Sequence, residues 1–214
     1  MSRIVALDTE TTGISHRLGH RVIEIGAVEL IDGQLTGRQF HTYLQPQRRV
    51  DWGAQRVHGI SDAMLVGKPL FSSKAAELLD FLRGSEMVAH NATFDVGFLD
   101  NELRLSGIPG TLAQHCRITC SLKLARGRWP GQGNKLDDVL QRLRIPSQRG
   151  LHGALKDAHL LAQVISHLRG GLPAVTPAVT SARSSPRHRP PRPHGPSPRP
   201  GPPRVRVLRR FQRR

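Results

Sequence analysis

The stretch IVALDTETTGI, residues 4–14, begins apolar and then places Asp8 and Glu10 one residue apart. Positions i and i+2 of a strand share a face, so both carboxylates continue the side that carries Ile4 and Ala6. Val5 and Leu7 make the other face apolar as well, the pattern of a central strand covered on both sides. Two acids near the end of such a strand lie where desolvation penalises an unpaired charge. Two further acids are similarly out of place. Asp95, in FDVGFLDNEL, falls in the first turn of an expected helix and shares a stripe with Leu99. The helix dipole favours an acid there, which is an ordinary explanation. Asp157, in HGALKDA, is in register with Leu161, Val164 and Leu168. A carboxylate on an apolar stripe suits a ligand better than it suits a surface or a core.

Four semi-buried carboxylates need positive charge, because without it they repel and raise one another's pKa values. Mg²⁺ is a hard cation that takes oxygen ligands. Two such ions roughly 4 Å apart stabilise the attacking and leaving oxygens of an in-line displacement at phosphorus. That chemistry also needs a base for the attacking water. His152 stands five residues before Asp157. Five positions are about 140° apart around a helix, so the two share no face if both lie inside one. Gly153 places His152 at or just before the first turn, from where it can reach the metals. An imidazole titrating near neutrality suits the proton transfer. Taken alone, one of 11 histidines beside a helix is unremarkable.

The elements that must position these residues can be read from the pattern. RIVALD, RVIEIGAVELI and QLTGRQFHTYL read as three strands, the last two joined by the turn Asp32-Gly33. Short turns between them imply an antiparallel meander. SSKAAELLDFLRG reads as a helix capped by Ser and stopped by Gly84, EMVAHN as a short buried strand, and FDVGFLDNELRLSG as a helix. CRITCSLKLA reads as a strand-to-helix junction, and NKLDDVLQRLR and GALKDAHLLAQVISHLRGG as helices. A meander followed by alternating helices and strands is a mixed-sheet α/β layout.

DTETTG, HNATFDVGFLDNEL and HGALKDA occur in this order, with VIEIGAVEL and VHGI between the first two. The ordered set resembles the DEDDh family of 3′–5′ exonucleases, and more closely the proofreading subunits of bacterial replicative DNA polymerases. The resemblance covers about residues 1–170. It implies a ribonuclease H-like fold with a mixed five-stranded sheet flanked by helices. It implies that Asp8, Glu10, Asp95 and Asp157 bind two Mg²⁺ or Mn²⁺ and that His152 is the general base. Asp8, Glu10, Thr11, His58, Phe94 and Asp157 are then expected to contact the substrate, with Asn91 bracing the site. The expected activity is release of nucleoside 5′-monophosphates from DNA 3′ ends in proofreading. The expected partners are a single-stranded or frayed primer terminus and the polymerase catalytic subunit. The alternatives are an exoribonuclease or DNA repair exonuclease of the same fold, or a subunit that binds nucleic acid or polymerase without cutting. Two positions depart from the family. Gly53, in DWGAQRVHGI, stands where relatives often carry a Glu that helps hold the nucleotide, and Cys120 stands where they often carry Asp. After the catalytic block, GGLPAVTPAV contains no recognisable clamp-binding motif.

Charge and proline divide the chain in two. Residues 171–214 hold 11 Arg, no acid and 11 of the 16 Pro, leaving residues 1–170 with a net charge of +5. The expectation is an exonuclease domain over 1–170 and a disordered, partly polyproline II basic tail over 171–214. The tail is either an arm for phosphates or a partner, or a solvated linker. Cys116 and Cys120 cannot build a disulfide framework and fit a reducing compartment. No apolar run reaches membrane-spanning length and no signal peptide is recognisable, so a cytoplasmic, nucleoid-associated protein with no membrane partner is expected.

Overall fold

Apolar patterning sets the order of the elements. In the computed structural model, which describes residues 2–147 and 150–169, five strands form one sheet: β1 (Arg3–Thr11), β2 (Val22–Ile31), β3 (Gln34–Tyr43), β4 (Glu86–Ala89) and β5 (Arg117–Cys120). Their spatial order is β3-β2-β1-β4-β5. The β1–β2 and β2–β3 pairs are antiparallel, and the β1–β4 and β4–β5 pairs are parallel. This is the mixed five-stranded sheet expected from the sequence. The β2–β3 turn works because Asp32 and Gly33 both adopt positive φ, 49° and 80°, as the tight hairpin requires.

Helices cover both faces. They are α1 (Trp52–His58), α2 (Asp62–Leu65), α3 (Phe71–Leu82), α4 (Ala92–Leu105), α5 (Ser121–Arg128), α6 (Leu136–Arg142) and α7 (Ala154–Leu168). Val5 and Leu7 of β1 pack with Leu78 and Leu82 of α3 and with Phe98 and Leu99 of α4. Ile4 and Ala6 pack with Val139 of α6 and with Leu161 and Val164 of α7. β1 is therefore central in the sheet and in the layers, and its face alternation decides which helix its last residues meet. No helix among the described residues is long and apolar enough to cross a membrane.

Three local features differ from the sequence reading. β1 runs on to Thr11, so Asp8 and Glu10 lie inside the strand. α3 is not capped by Ser: its N-cap is Leu70, and Ser73 Oγ donates back to the Leu70 carbonyl. Burial of Phe71 in the core brings the helix start forward, leaving both serines inside the first turn. The helices α1 and α2 have no counterpart in the sequence reading: α2 has four residues, and α1 buries only His58, so neither repeats an apolar stripe. The expected tail, 171–214, lies outside the described residues.

At the far end of β4, Glu86 is 5% exposed. It accepts from Thr119 Oγ1 at 2.6 Å, from Arg117, and from Arg169 just beyond α7. Arg169 and the other donors hold its carboxyl down at about 2, against the desolvation that opposes ionisation. A depressed folded-state pKa stabilises the protein above the ordinary carboxylate pKa, and that stabilisation disappears as pH falls through the folded value. E86Q should cost about 3 kcal/mol near neutral pH, since it strips the charge that two arginines face. Thermal melts of the two proteins should converge between about pH 4.5 and 2, and a gap that persists at the acid end would contradict this account.

Candidate active site

Three of the acids and His152 are carried by two elements that meet at the end of β1. Strand alternation puts Asp8 and Glu10 on the Ile4–Ala6 face, and that face is covered by α7. Glu10, His152 and Asp157 each place a ligating atom within 4.8 Å of the others. His152 Nδ1 lies 3.4 Å from Asp157 Oδ2. His152 precedes the Gly153 N-cap of α7, so its backbone is free of the helical repeat and its ring turns toward a side chain that helix geometry alone would put about 140° away. The His152 N–H donates to the Val57 carbonyl at 3.1 Å, which fixes that turn from outside the helix. Asp8, His152 and Asp157 line a cavity of about 670 Å³. Its far wall carries His90, Asn91, Arg126 and Lys135.

Neither Asp8 nor Asp95 contributes an atom to the set that converges within 4.8 Å, and Asp95 lies apart. Asp95 is 3% exposed and accepts from Thr9 Oγ1 at 2.8 Å, Thr9 being the residue between Asp8 and Glu10. Burial pushes its carboxyl up to about 7, while the Thr9 hydroxyl and nearby backbone N–H groups pull the other way. A carboxyl so poised gains most from a neighbouring cation.

The other residues expected to contact the substrate are Thr11, His58 and Phe94. Thr11 Oγ1 donates to the Gly13 carbonyl at 2.7 Å. His58 is buried at the end of α1, with Nε2 3.2 Å from the Thr11 carbonyl and Nδ1 accepting from the Ile60 N–H at 3.0 Å. Those partners place the ring proton on Nε2, and burial holds the imidazole pKa below its usual value. Phe94 is half-buried against Phe98, with ring centroids 4.8 Å apart. Asn91 adopts a left-handed conformation, φ 72°, at the start of α4. Of the two departures, Gly53 is exposed with open space around it, and Cys120 packs partly buried against the core.

The geometry depends on two residues of β2 to which the sequence reading gave no role. Gly26 pairs opposite Asp8, and a Cβ there would collide with the backbone of Ala154 and Leu155. The glycine is what lets the first turn of α7 lie directly on the sheet. Glu24 pairs opposite Glu10 and is 3% exposed. Its Oε2 accepts from the Ala154 N–H at 3.1 Å and its Oε1 lies 2.8 Å from His41 Nε2. The available signal was an acid on a strand that is apolar apart from Glu24 and Glu29 and buried along nearly all its length. His90 was also passed over: Nε2 donates to the Asn134 carbonyl at 2.9 Å, and Nδ1 lies 2.8 Å from Ser121 Oγ. It thereby ties the end of β4 to the wall formed before α5 and α6.

Comparison with known proteins agrees with this arrangement. The family model for exonucleases matches residues 5–165. DNA polymerase III subunit epsilon of Salmonella typhimurium is 49% identical over 183 residues, covering 82% of this chain and 75% of that protein. The subunit of the same name from Escherichia coli K12 is 48% identical over 178 residues, covering 80% and 73%. This chain belongs to the exonuclease family. Within it, the exonuclease is of the DEDDh type and similar to the epsilon subunits. Among solved structures, Exonuclease X in complex with 5′ overhanging duplex DNA superposes with a TM-score of 0.62 at 27% identity, covering 79% of this chain and 92% of that one. Escherichia coli Exonuclease I in complex with a dT13 oligonucleotide shares the fold, with a TM-score of 0.69 at 17% identity, covering 79% and 41%.

Adding one methyl group tests how closely this exonuclease must pack. G26A should force α7 off the sheet and cost about 1–3 kcal/mol in stability, with turnover falling further than stability alone explains at temperatures where the variant is folded. Thermal melts and initial rates on a labelled oligonucleotide measure both, and a fully active G26A would show that the contact is not needed.

Proposed function

We propose that this exonuclease removes mispaired nucleotides one at a time from the 3′ end of DNA, as the proofreading subunit of a bacterial replicative polymerase. The observation that supports it best is the meeting of Glu10, His152 and Asp157 within 4.8 Å beside Asp8, in a chain of the exonuclease family. Clustered carboxylate oxygens fit a hard divalent cation. In this reading Asp8, Glu10, Asp95 and Asp157 hold two Mg²⁺ or Mn²⁺. Bound there, the ions supply charge stabilisation for the attacking and leaving oxygens.

The chain's own residues do the rest. With Nδ1 directed at Asp157, the His152 lone pair lies on Nε2 and takes a proton from the attacking water. The water oxygen bonds to phosphorus, the bond from phosphorus to the 3′ oxygen of the preceding nucleotide breaks, and that oxygen takes a proton from solvent. The product is a nucleoside 5′-monophosphate. Thr11, His58 and Phe94 receive the terminal nucleotide, His58 by holding the Thr11 backbone in place. The partners in this reading are a frayed primer terminus and the polymerase catalytic subunit, in the bacterial cytoplasm.

A 5′-labelled primer–template with a mismatched 3′ end tests this directly. It should shorten from the 3′ end in Mg²⁺ or Mn²⁺ and stay intact in EDTA. H152A should lose about 10²–10⁴ in rate, the span of general base catalysis. D8A and D157A should lose turnover while melting at or above the wild-type temperature, because like charges are relieved. Metal-independent shortening, or unfolding of the Asp variants, would sink the two-metal reading. A strong preference for matched RNA over DNA would redirect it to RNA processing.

A further inference from the structure

The exposed face of α1 carries an aromatic and a cation that nothing in the catalytic arrangement uses. Trp52 is 71% exposed. The Arg56 guanidinium, one turn along the same face, lies 4.6 Å from the centre of its indole ring. One face of the indole is thus covered by a cation and the rest is open to solvent. Arg49 is exposed just before the helix, and neither Arg49 nor Arg56 makes an ion pair among the described residues. A lone exposed tryptophan would mean little. This one is held by a helix that is fastened to the site at both ends.

At the start of α1 the Asp51 N–H donates to the Thr12 carbonyl at 2.9 Å. At its end His58 Nε2 donates to the Thr11 carbonyl, and the Val57 carbonyl accepts from His152. α1 is therefore tied to the residues that follow Glu10 and to the residue that moves the proton. Six residues of helix separate Trp52 from His58, about 9 Å along the axis. The indole is thus on a helix tethered beside the site, and Trp52 is not among the residues that line the cavity. Gly53 adds no side chain beside it: a Cβ there would meet nothing within 4 Å.

An aromatic face next to unpaired arginines is the chemistry that grips single strands without reading sequence, because every base has a π-face and every linkage a charge. We propose that Trp52 and Arg56 form a second strand-binding site, in which the indole stacks on a base upstream of the scissile nucleotide and Arg56 takes a neighbouring phosphate. This rests on the exonuclease reading and adds to it a contact that holds the strand between successive cuts. Sequence-tolerant stacking suits an enzyme that must accept whichever base has been misplaced.

Two substrates separate the two claims. The p-nitrophenyl ester of thymidine 5′-monophosphate occupies only the terminal site, whereas an oligothymidylate also reaches α1. W52A should raise KM for the oligonucleotide about tenfold or more, in line with the loss of one base stack, relative to any change in its KM for the ester. W52F should recover most of that loss. R56A should flatten the dependence of log(kcat/KM) on log[salt] by about 0.7, one phosphate's share on a single strand. In EDTA, oligothymidylate should quench the fluorescence of W129F, which keeps only Trp52 of the two tryptophans, and leave W52F unquenched. If the wild type cleaves both substrates and W52A and R56A match it on each, the strand site is overturned and the exonuclease reading stands. If the wild type cleaves neither, the exonuclease reading fails, and quenching of W129F alone decides whether α1 binds a strand. An α1 face that serves a protein partner instead would give unchanged oligonucleotide kinetics and no quenching, which also overturns the proposal.

Discussion

The docking of the first turn of α7 onto the sheet is the contact on which the site depends. Asp157 and His152 come from the end of the domain and Asp8 and Glu10 from its beginning. They meet because the first turn of α7 lies directly on the backbone of β2 at Gly26, while the rest of the helix packs on side chains of β1 and β2. Gly26 removes the one Cβ that would stand between them, and Glu24 gives the helix N-terminus a buried acceptor. An N-terminal turn has backbone donors with no helical partner, and a carboxylate there is favoured by both hydrogen bonding and the helix dipole. Packing and electrostatics thus act at one point, and the catalytic arrangement inherits its precision from a steric gap rather than from a flexible loop.

The fold treats its buried acids in two ways. Glu29, Glu86 and Glu102 each receive at least one guanidinium: Arg3 and Arg38 on Glu29, Arg117 and Arg169 on Glu86, and Arg21 on both oxygens of Glu102. These pairs fasten strands to helices and to one another, and each satisfies a charge that desolvation would otherwise oppose. At the end of β1, Glu10 lies with Asp157 of α7 and the His152 imidazole, the three placing ligating atoms within 4.8 Å of one another. Grouping like charges in a half-buried place opposes stability, and it is retained where a cation is to be held.

α1 links the residues that follow Glu10 to His152. It is short, yet its ends are bonded to Thr12, Thr11 and His152. Any displacement of the strand that moves α1 is transmitted to the backbone of His152 without passing through the sheet. Gly53, one of the two departures from the family, lies in this same helix, whose Val57 carbonyl accepts from the His152 N–H.

What the sequence determined by itself was local. Asp8 and Glu10 had to share a face because a strand repeats every two residues, and the β2–β3 hairpin followed from Asp32-Gly33, a pair able to adopt positive φ. The alternation of strands and helices set the sheet type for the same reason, since each element announced itself within a dozen residues. Short elements and caps escaped: α1 buries only His58 and so repeats no apolar stripe, and the start of α3 is decided by the burial of Phe71 rather than by the serines beside it. The site lay beyond local reach in a stronger sense. On helical geometry His152 and Asp157 point apart, and only the Val57 carbonyl and the non-helical backbone at Gly153 bring them together. The role of Gly26 is invisible until α7 lies on it, and the bond from Ala154 to Glu24 spans 130 residues. Periodicity is written in neighbouring residues, whereas convergence of side chains is fixed by contacts between distant ones, and those exist only once the chain has packed.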